Sequence, residues 1–399
     1  MTEINQGVAT IAENPFTKES IDNPQPLYEK FREAGPVLWL ETHKCYAVAR
    51  HAEVRAVYND WQTFSSAQGT GITNYSKKTP WRAPAIVLEA DPPLHTRGRK
   101  VFTRALSPKA IRDLREPFKV EAEKLVDRAL EKGEIDGMDD LARPFTLKVF
   151  PDAVGMGPGD RSPFLEYADL QLHSFMPPTW LDENPFNHLE EIHKWVTESC
   201  SREAMARPGF GTTIYEAVDA GEINDVEARN LVRSFISAGV DNSITSFGNG
   251  LWCYATHPDQ WQKLRNDPSL LRNSYEEILR FLGPLQFNFR TTTRVAEFAG
   301  ATLGENEKVC VFLASANLDE RYWEEPKRFN IERRTNGNMG FGVGIHGCVG
   351  QVLARLEGEV LFETLLKKVR AIEFTGEPTR RYISVLQSFQ TLPLRLIPN

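Results

Sequence analysis

No two of the five cysteines stand close in the chain. Cys45, Cys200, Cys253, Cys310 and Cys348 are far apart, odd in number and without a CxxC spacing. That argues against a zinc ribbon and a disulfide framework and suits a reducing, cytoplasmic setting. A basic excess is missing too. Lys plus Arg is 47 against 54 for Asp plus Glu, a net charge of −7, so the chain lacks the electrostatic footprint of a general nucleic-acid binder. The longest apolar runs, such as Val309 to Ala314, fall far short of a membrane span. Met1 to Pro15 is polar and has neither the basic start nor the apolar middle of a signal peptide. Repeats, low-complexity segments and Gly/Ser-rich linkers are also lacking, so nothing divides the 399 residues. The expectation is a single domain over 1–399, with 1–15 as a disordered or loosely packed tail.

Helical signals dominate what is present. Asp225 to Thr256 reads as one long helix. Asn224 suits an N-cap, Asp225 and Glu227 place negative charge in the first turn, and His257-Pro258 closes it. Its middle, Phe235 to Gly250, carries no charge except Asp241, so this helix should cross the core. Ala110 to Lys132 has Phe118, Val120, Leu125, Val126 and Leu130 at helical spacing. Further helices are expected at Asp259 to Asn266, Ser274 to Phe281 and Gln351 to Val369. Strand signals are short. Pro36 to Leu40 and Cys45 to Val48 form a hairpin pattern, with others near Arg294 to Phe298, Lys308 to Leu313 and Tyr382 to Leu386. The fold class is mainly α with minor β-sheet.

Chemistry concentrates at Phe341-Gly342-Val343-Gly344-Ile345-His346-Gly347-Cys348-Val349-Gly350, directly before the helix expected from Gln351. Glycines on both sides of the cysteine allow tight turns and close approach to a flat partner. Free amides and the dipole at a helix start favour a thiolate, and such a thiolate suits the axial position of haem iron. A buried structural cysteine is the alternative.

This loop resembles the haem-binding loop of the cytochromes P-450, the haem-thiolate monooxygenases. Other segments are similar to that family in the same order. Glu277-Ile278-Leu279-Arg280 matches its Glu-x-x-Arg, and Asp91 through Arg99 resembles its propionate-holding segment. Ala316-Asn317-Leu318-Asp319, Trp323-Glu324-Glu325-Pro326 and Phe329 resemble the stretch ahead of the haem loop. The resemblance implies a single-domain P-450 fold with a long central oxygen-binding helix, and haem b (iron protoporphyrin IX) as cofactor. It implies Cys348 as the axial iron ligand, Phe341 as its shield, and His95, Arg99, Arg290 and His346 at the propionates. Glu277 and Arg280 would brace the core beneath. An exposed helix face is the alternative for His95 and Arg99. Implied partners are dioxygen and a ferredoxin with its NAD(P)H-dependent reductase, since the length leaves no room for a fused redox domain. Basic residues such as Arg97 would face an acidic ferredoxin. No nucleic-acid or membrane partner is implied, and the chain is expected to be a monomer.

Ala238-Gly239-Val240-Asp241-Asn242-Ser243 matches the dioxygen-binding segment of the central helix, with Ala238, Asp241 and Asn242 at its catalytic positions. Most members of the family follow the acid with threonine. An amide donates hydrogen bonds but does not relay protons as a hydroxyl does, and Ser243 lies about a quarter turn away. Proton delivery through water and Asp241, peroxide as an alternative oxidant, and a neutral role for Asn242 all remain open.

Within the family, the resemblance is to bacterial para-substituted benzoate monooxygenases, which O-demethylate 4-methoxybenzoate. Lys78 to Pro84, Leu88 to Asp91, Leu231 to Gly239, Gln286 to Arg294 and Cys348 to Gln351 carry it, with Leu353 to Glu359 beyond. It implies a small aromatic acid whose carboxylate meets Arg82, Arg233 and Ser237, with the ring among Leu88, Phe175, Ala238 and Phe289. Ala85 stands where those enzymes have a serine and Ser199 where they have a glutamine, which opens the choice to cinnamates and other benzoates. An ordinary salt bridge is the alternative for Arg233. The expected reaction is O-demethylation to the phenol and formaldehyde. The alternatives are a P-450 hydroxylase of terpenoids or macrolides, and a haem-binding or sensing protein without turnover, which Asn242 favours.

Overall fold

The computed structural model describes residues 8–80, 82–175, 189–383 and 385–399. Its axis is the helix Asp225–Thr256, 32 residues long and about 48 Å at 1.5 Å per residue. The Asn224 side chain accepts from the Glu227 amide at 2.9 Å, and the Glu227 carboxylate accepts from the Asn224 amide at 3.0 Å. This reciprocal cap satisfies two amides that would otherwise lack partners. Asn224→Ala is therefore expected to cost about 1 kcal/mol of stability, read as a lower urea midpoint with an unchanged slope. The middle, charged only at Asp241, is buried as anticipated, with Val240, Ile244 and Phe247 all in the main apolar cluster. Gly250 permits one of the closest packings, because a Cβ there would lie 2.4 Å from Cζ of Phe362.

Helices Arg143–Val154, Ser162–His173, Phe210–Asp219, Leu271–Phe281 and Gln351–Lys368 pack around that axis. The segment expected as one helix from Ala110 divides at Leu114 into Pro108–Asp113 and Arg115–Lys132. Phe118, Leu125 and Val126 are buried there, but Val120 is 63% exposed. Among the described residues, no helix is long and apolar enough to cross a membrane.

A six-stranded sheet runs in the order Ala9–Ile11, Leu38–Leu40, Cys45–Val48, Lys308–Val311, Asn288–Thr292, Phe64–Ser65. The hairpin expected near the front forms, with Trp39 opposite Tyr46. The loose tail does not extend to residue 15. Ala9–Ile11 pairs in parallel with Leu38–Leu40, and Ile11 is 3% exposed, because its side chain completes an apolar cluster under the sheet. Residues 1–7 lie outside the described residues. The strand signal at Tyr382 to Leu386 falls on the facing ends of two antiparallel strands, Thr379–Ile383 and Leu386–Thr391, with Ile383 opposite Leu386.

Candidate functional site

A cavity of about 290 Å³ lies between the central helix, the loop 341–350, the helix Leu94–Ala105 and the strand Asn288–Thr292. The loop turns through Gly342 and Gly344, at φ +64° and +71°. A Cβ at Gly344 would lie 2.5 Å from the Tyr58 carbonyl oxygen, so glycine is required there on two counts. The Cys348 amide donates to the Phe341 carbonyl at 2.7 Å, and the Gln351 side chain donates to the Cys348 carbonyl at 3.0 Å. Cys348 and Phe341 both line the cavity, and the Arg355 guanidinium lies 4.6 Å over the Phe341 ring. Burial raises the Cys348 thiol, while the Gly350 amide, Arg99, Arg355 and the Gln351 amide pull it the other way.

The wall beside this loop is cationic. Arg99, Arg290 and His346 line the cavity, and His95 packs edge-on against His346 with ring centroids 4.6 Å apart. Arg99 donates to the Gly347 carbonyl at 2.6 Å. The buried Arg290 donates to the Phe289 carbonyl and Asn288 Oδ1 and lies over the Tyr58 ring. Among the described residues, Nε2 of His95 and both ring nitrogens of His346 have no hydrogen-bond partner. Burial followed by Arg290 pushes His346 down to about 3, and burial lowers Arg290, Arg99 and His95 as well. His95 is buried, so the exposed-face alternative falls for it. Buried cations without a partnering anion are costly, so this wall suits an incoming dicarboxylate. Together with a thiol on a glycine-rich loop, these residues fit haem b.

Below the loop, Glu277 and Arg280 are 0% exposed and 2.7 Å apart. Arg333 adds a second contact to Glu277 at 3.1 Å, and Arg280 donates to the Asn317 and Pro326 carbonyls. The pair is thus a fully satisfied brace between three segments and does not reach the cavity.

On the central helix, Ala238, Asn242 and Ser243 line the cavity. The Asn242 amide donates back to the Ala238 carbonyl at 2.8 Å. Gly239 faces Phe150, whose Cζ would lie 2.1 Å from an added Cβ. Asp241 is not at the cavity. It is 1% exposed and paired with Arg381 at 3.0 Å, and Arg381 also pairs with Asp169. One helical step turns Asp241 about 100° from Asn242, so the expected route through water and Asp241 meets an acid already neutralised. Sequence reasoning missed Arg381 and also Glu357, a buried cavity residue that accepts from the Ser243 hydroxyl at 2.8 Å. The available signal for Glu357 was an acid directly between the apolar Leu356 and Gly358, four residues before Leu361 and so on the buried side of its helix.

At the other end of the cavity, Arg82, Ala85, Leu88, Phe175 and Ser237 line the wall as expected, joined by the unanticipated Gln171. Arg82 contacts Glu89 at 2.7 Å and Gln171 at 2.5 Å, and Tyr75 donates to Glu89 at 2.7 Å. Arg233 stands behind the wall and donates to the Ala83 carbonyl at 2.8 Å, which also accepts from Arg82 at 2.9 Å. Ser237 donates to the Ser234 carbonyl at 3.3 Å. Three residues are corrected. Arg233, expected to meet the substrate carboxylate, does not line the cavity. Phe289 does not line the cavity, because strand alternation turns it toward Phe16 and Phe287 while Asn288 and Arg290 face inward. Ser199 closes the helix Leu189–Ser199 and is not among the cavity-lining residues.

The family model for cytochrome P450 matches residues 183–386. The chain is 45% identical over 393 residues to cytochrome p450 CYP199A2 of Rhodopseudomonas palustris, covering 98% of this chain and 95% of that protein. It is 29% identical to the erythromycin C-12 hydroxylase of Saccharopolyspora erythraea over 91% and 92% of the two chains. Among solved structures, cytochrome P450 CYP109Q5 from Chondromyces apiculatus superposes with a TM-score of 0.82 at 27% identity, covering 98% of this chain and 99% of that one.

Proposed function

Because the chain belongs to the cytochrome P450 family, and so is a haem b monooxygenase that uses dioxygen and redox partners, we propose that it oxidises a small para-substituted aromatic carboxylic acid. The reaction is O-demethylation of a 4-methoxybenzoate-type substrate to the phenol and formaldehyde. Haem b supplies dioxygen activation, assisted by electron donation from its thiolate. A ferredoxin and an NAD(P)H-dependent reductase bring the electrons. The five free cysteines support a cytoplasmic setting.

The convergence of Arg82 and Arg233 on the Ala83 carbonyl, at the end of the cavity away from Cys348, carries this reading. Among the described residues, the guanidinium groups of Arg82 and Arg233 stand beside the Glu89 carboxylate, a setting that attracts an incoming carboxylate. Ala85 offers only its backbone amide, which Glu89 already holds at 2.8 Å, so the acid is gripped by charge more than by hydroxyls. Leu88, Phe175 and Ala238 supply apolar contact for a flat ring. The chain's part is to bind the acid, orient its para group toward the haem and exclude water.

Titration with para-substituted benzoates and cinnamates, followed through the haem absorption band, tests this. The acid should shift the haem toward high spin and its neutral amide should not. Arg82→Ala should weaken acid binding about 10-fold or more, as expected for a hydrogen bond to a charged group, and leave neutral ligands unaffected. Equal binding of acid and amide would overturn the reading.

A further inference from the structure

We propose that Asn288 reads an oxygen substituent on the substrate ring, at the carbon beside the one that bears the para group, so that the preferred acids are oxygenated at both positions. This rests on the aromatic-acid reading above and narrows it.

The strand Asn288–Thr292 is held between Phe64–Ser65 and Lys308–Val311, with Asn288 opposite Val311. Strand alternation turns Asn288 and Arg290 into the cavity. The Asn288 carboxamide is fixed at its oxygen end. Its Oδ1 accepts from the Tyr58 hydroxyl at 2.8 Å and from the Arg290 guanidinium at 3.3 Å. A guanidinium only donates, so this contact settles which end of the carboxamide is oxygen and leaves the amino group on the opposite side. Asn288 is 8% exposed and lines the cavity, and among the described residues its Nδ2 has no hydrogen-bond partner.

The hydroxyl and amide donors on the central helix are committed elsewhere. Asn242 donates to the Ala238 carbonyl, Ser237 to the Ser234 carbonyl and Ser243 to Glu357. Beside Asn288, Pro284, Leu285 and Leu313 bring apolar side chains to the lining. A few placed polar groups in a mostly apolar pocket set orientation and specificity.

The acid end has its own donors in Arg82 and Gln171. Asn288 instead shares the wall of Arg290 beside the cysteine loop. A ring with its carboxylate at Arg82 and its para group toward the haem turns the neighbouring ring carbon to that wall. An ether, hydroxyl or carbonyl oxygen on this carbon accepts from Nδ2, whereas an alkyl group of the same size leaves the buried donor unpaired, at a cost in free energy. Sites built around a hydrogen bond reject ligands that lack the partner. The competing role for Nδ2 is a contact to a haem propionate, since Arg290 faces that group as well.

Titration of the holoenzyme with 3,4-dimethoxybenzoate and 3-ethyl-4-methoxybenzoate, followed through the spin-state shift, tests the proposal. The two acids differ by an oxygen in place of a methylene, and the dimethoxy acid should bind about 10-fold more tightly. Asn288→Asp keeps an oxygen for Tyr58 and Arg290 but has no amino group, and there the advantage should disappear. Because the ratio is taken within each protein, any general effect of the added charge cancels. Asn288→Leu should reverse the preference. Equal affinities in the wild type overturn the proposal even where neither variant folds. An advantage that survives Asn288→Asp would also overturn it, and faster haem loss in that variant would then place the amide at a propionate. The corresponding neutral amides, run as a second pair, separate this proposal from the acid reading. Acids and amides that bind alike overturn the acid reading, while a preference for methoxy over ethyl in both series leaves the role of Asn288 standing.

Discussion

Glu277→Gln is expected to lower the unfolding free energy by about 3–5 kcal/mol, the cost of removing one partner from a buried ion pair. The carboxylate sits between Arg280 at 2.7 Å and Arg333 at 3.1 Å, and both its oxygens are used. An amide leaves two guanidinium groups facing each other with no compensating charge. The Asn330 amide, which donates to Glu277 Oε1 at 3.0 Å, loses a charged acceptor as well. Chemical denaturation monitored by circular dichroism checks this. A loss below about 1 kcal/mol, the scale of an exposed pair, would mean the pair is not the brace described. Because Glu277 stands outside the cavity, haem that does bind should show an unaltered absorption spectrum.

Arg290→Glu should reduce haem retention by about 10³-fold, corresponding to about 4 kcal/mol for an uncompensated buried charge. The substitution places a carboxylate on the wall that otherwise gathers Arg99, Arg290 and His346 with no paired anion. Both the attraction for propionates and the local sign of charge are reversed. The rate of haem transfer to an excess of an apo-globin acceptor measures the effect. Arg290→Lys should stay much nearer to wild type, although it gives up the planar contact over Tyr58. Equal retention in the Glu variant would show that this wall does not hold the propionates.

The largest features were legible because local chemistry alone specifies them. The central helix has its reciprocal cap at Asn224 and a nearly charge-free interior, and Gly342 and Gly344 ahead of Cys348 take the positive φ that the loop geometry demands. The strand Asn288–Thr292 was not legible. Its inward face carries Asn288 and Arg290 and its outward face Phe289, so the usual sign of a half-buried strand is inverted. With Arg290 already expected at the propionates, strand alternation would have sent Phe289 to the opposite face. Ion pairs between distant segments were beyond the sequence for a different reason. Asp241 and Arg381 are 140 residues apart, and nothing local tells a free acid from a neutralised one. The same holds for Arg82, which was read as open to a carboxylate while Glu89 occupies one side of it.

The account stands on Cys348 as the ligand to haem iron, and the absorption spectrum of the reduced, carbon monoxide-bound holoenzyme tests that most directly. Sulfur ligation places the main band well to the red of its position with histidine, and Cys348→His should move it to the histidine position. A wild-type band already at the histidine position, or one that Cys348→His leaves unmoved, would contradict the assignment.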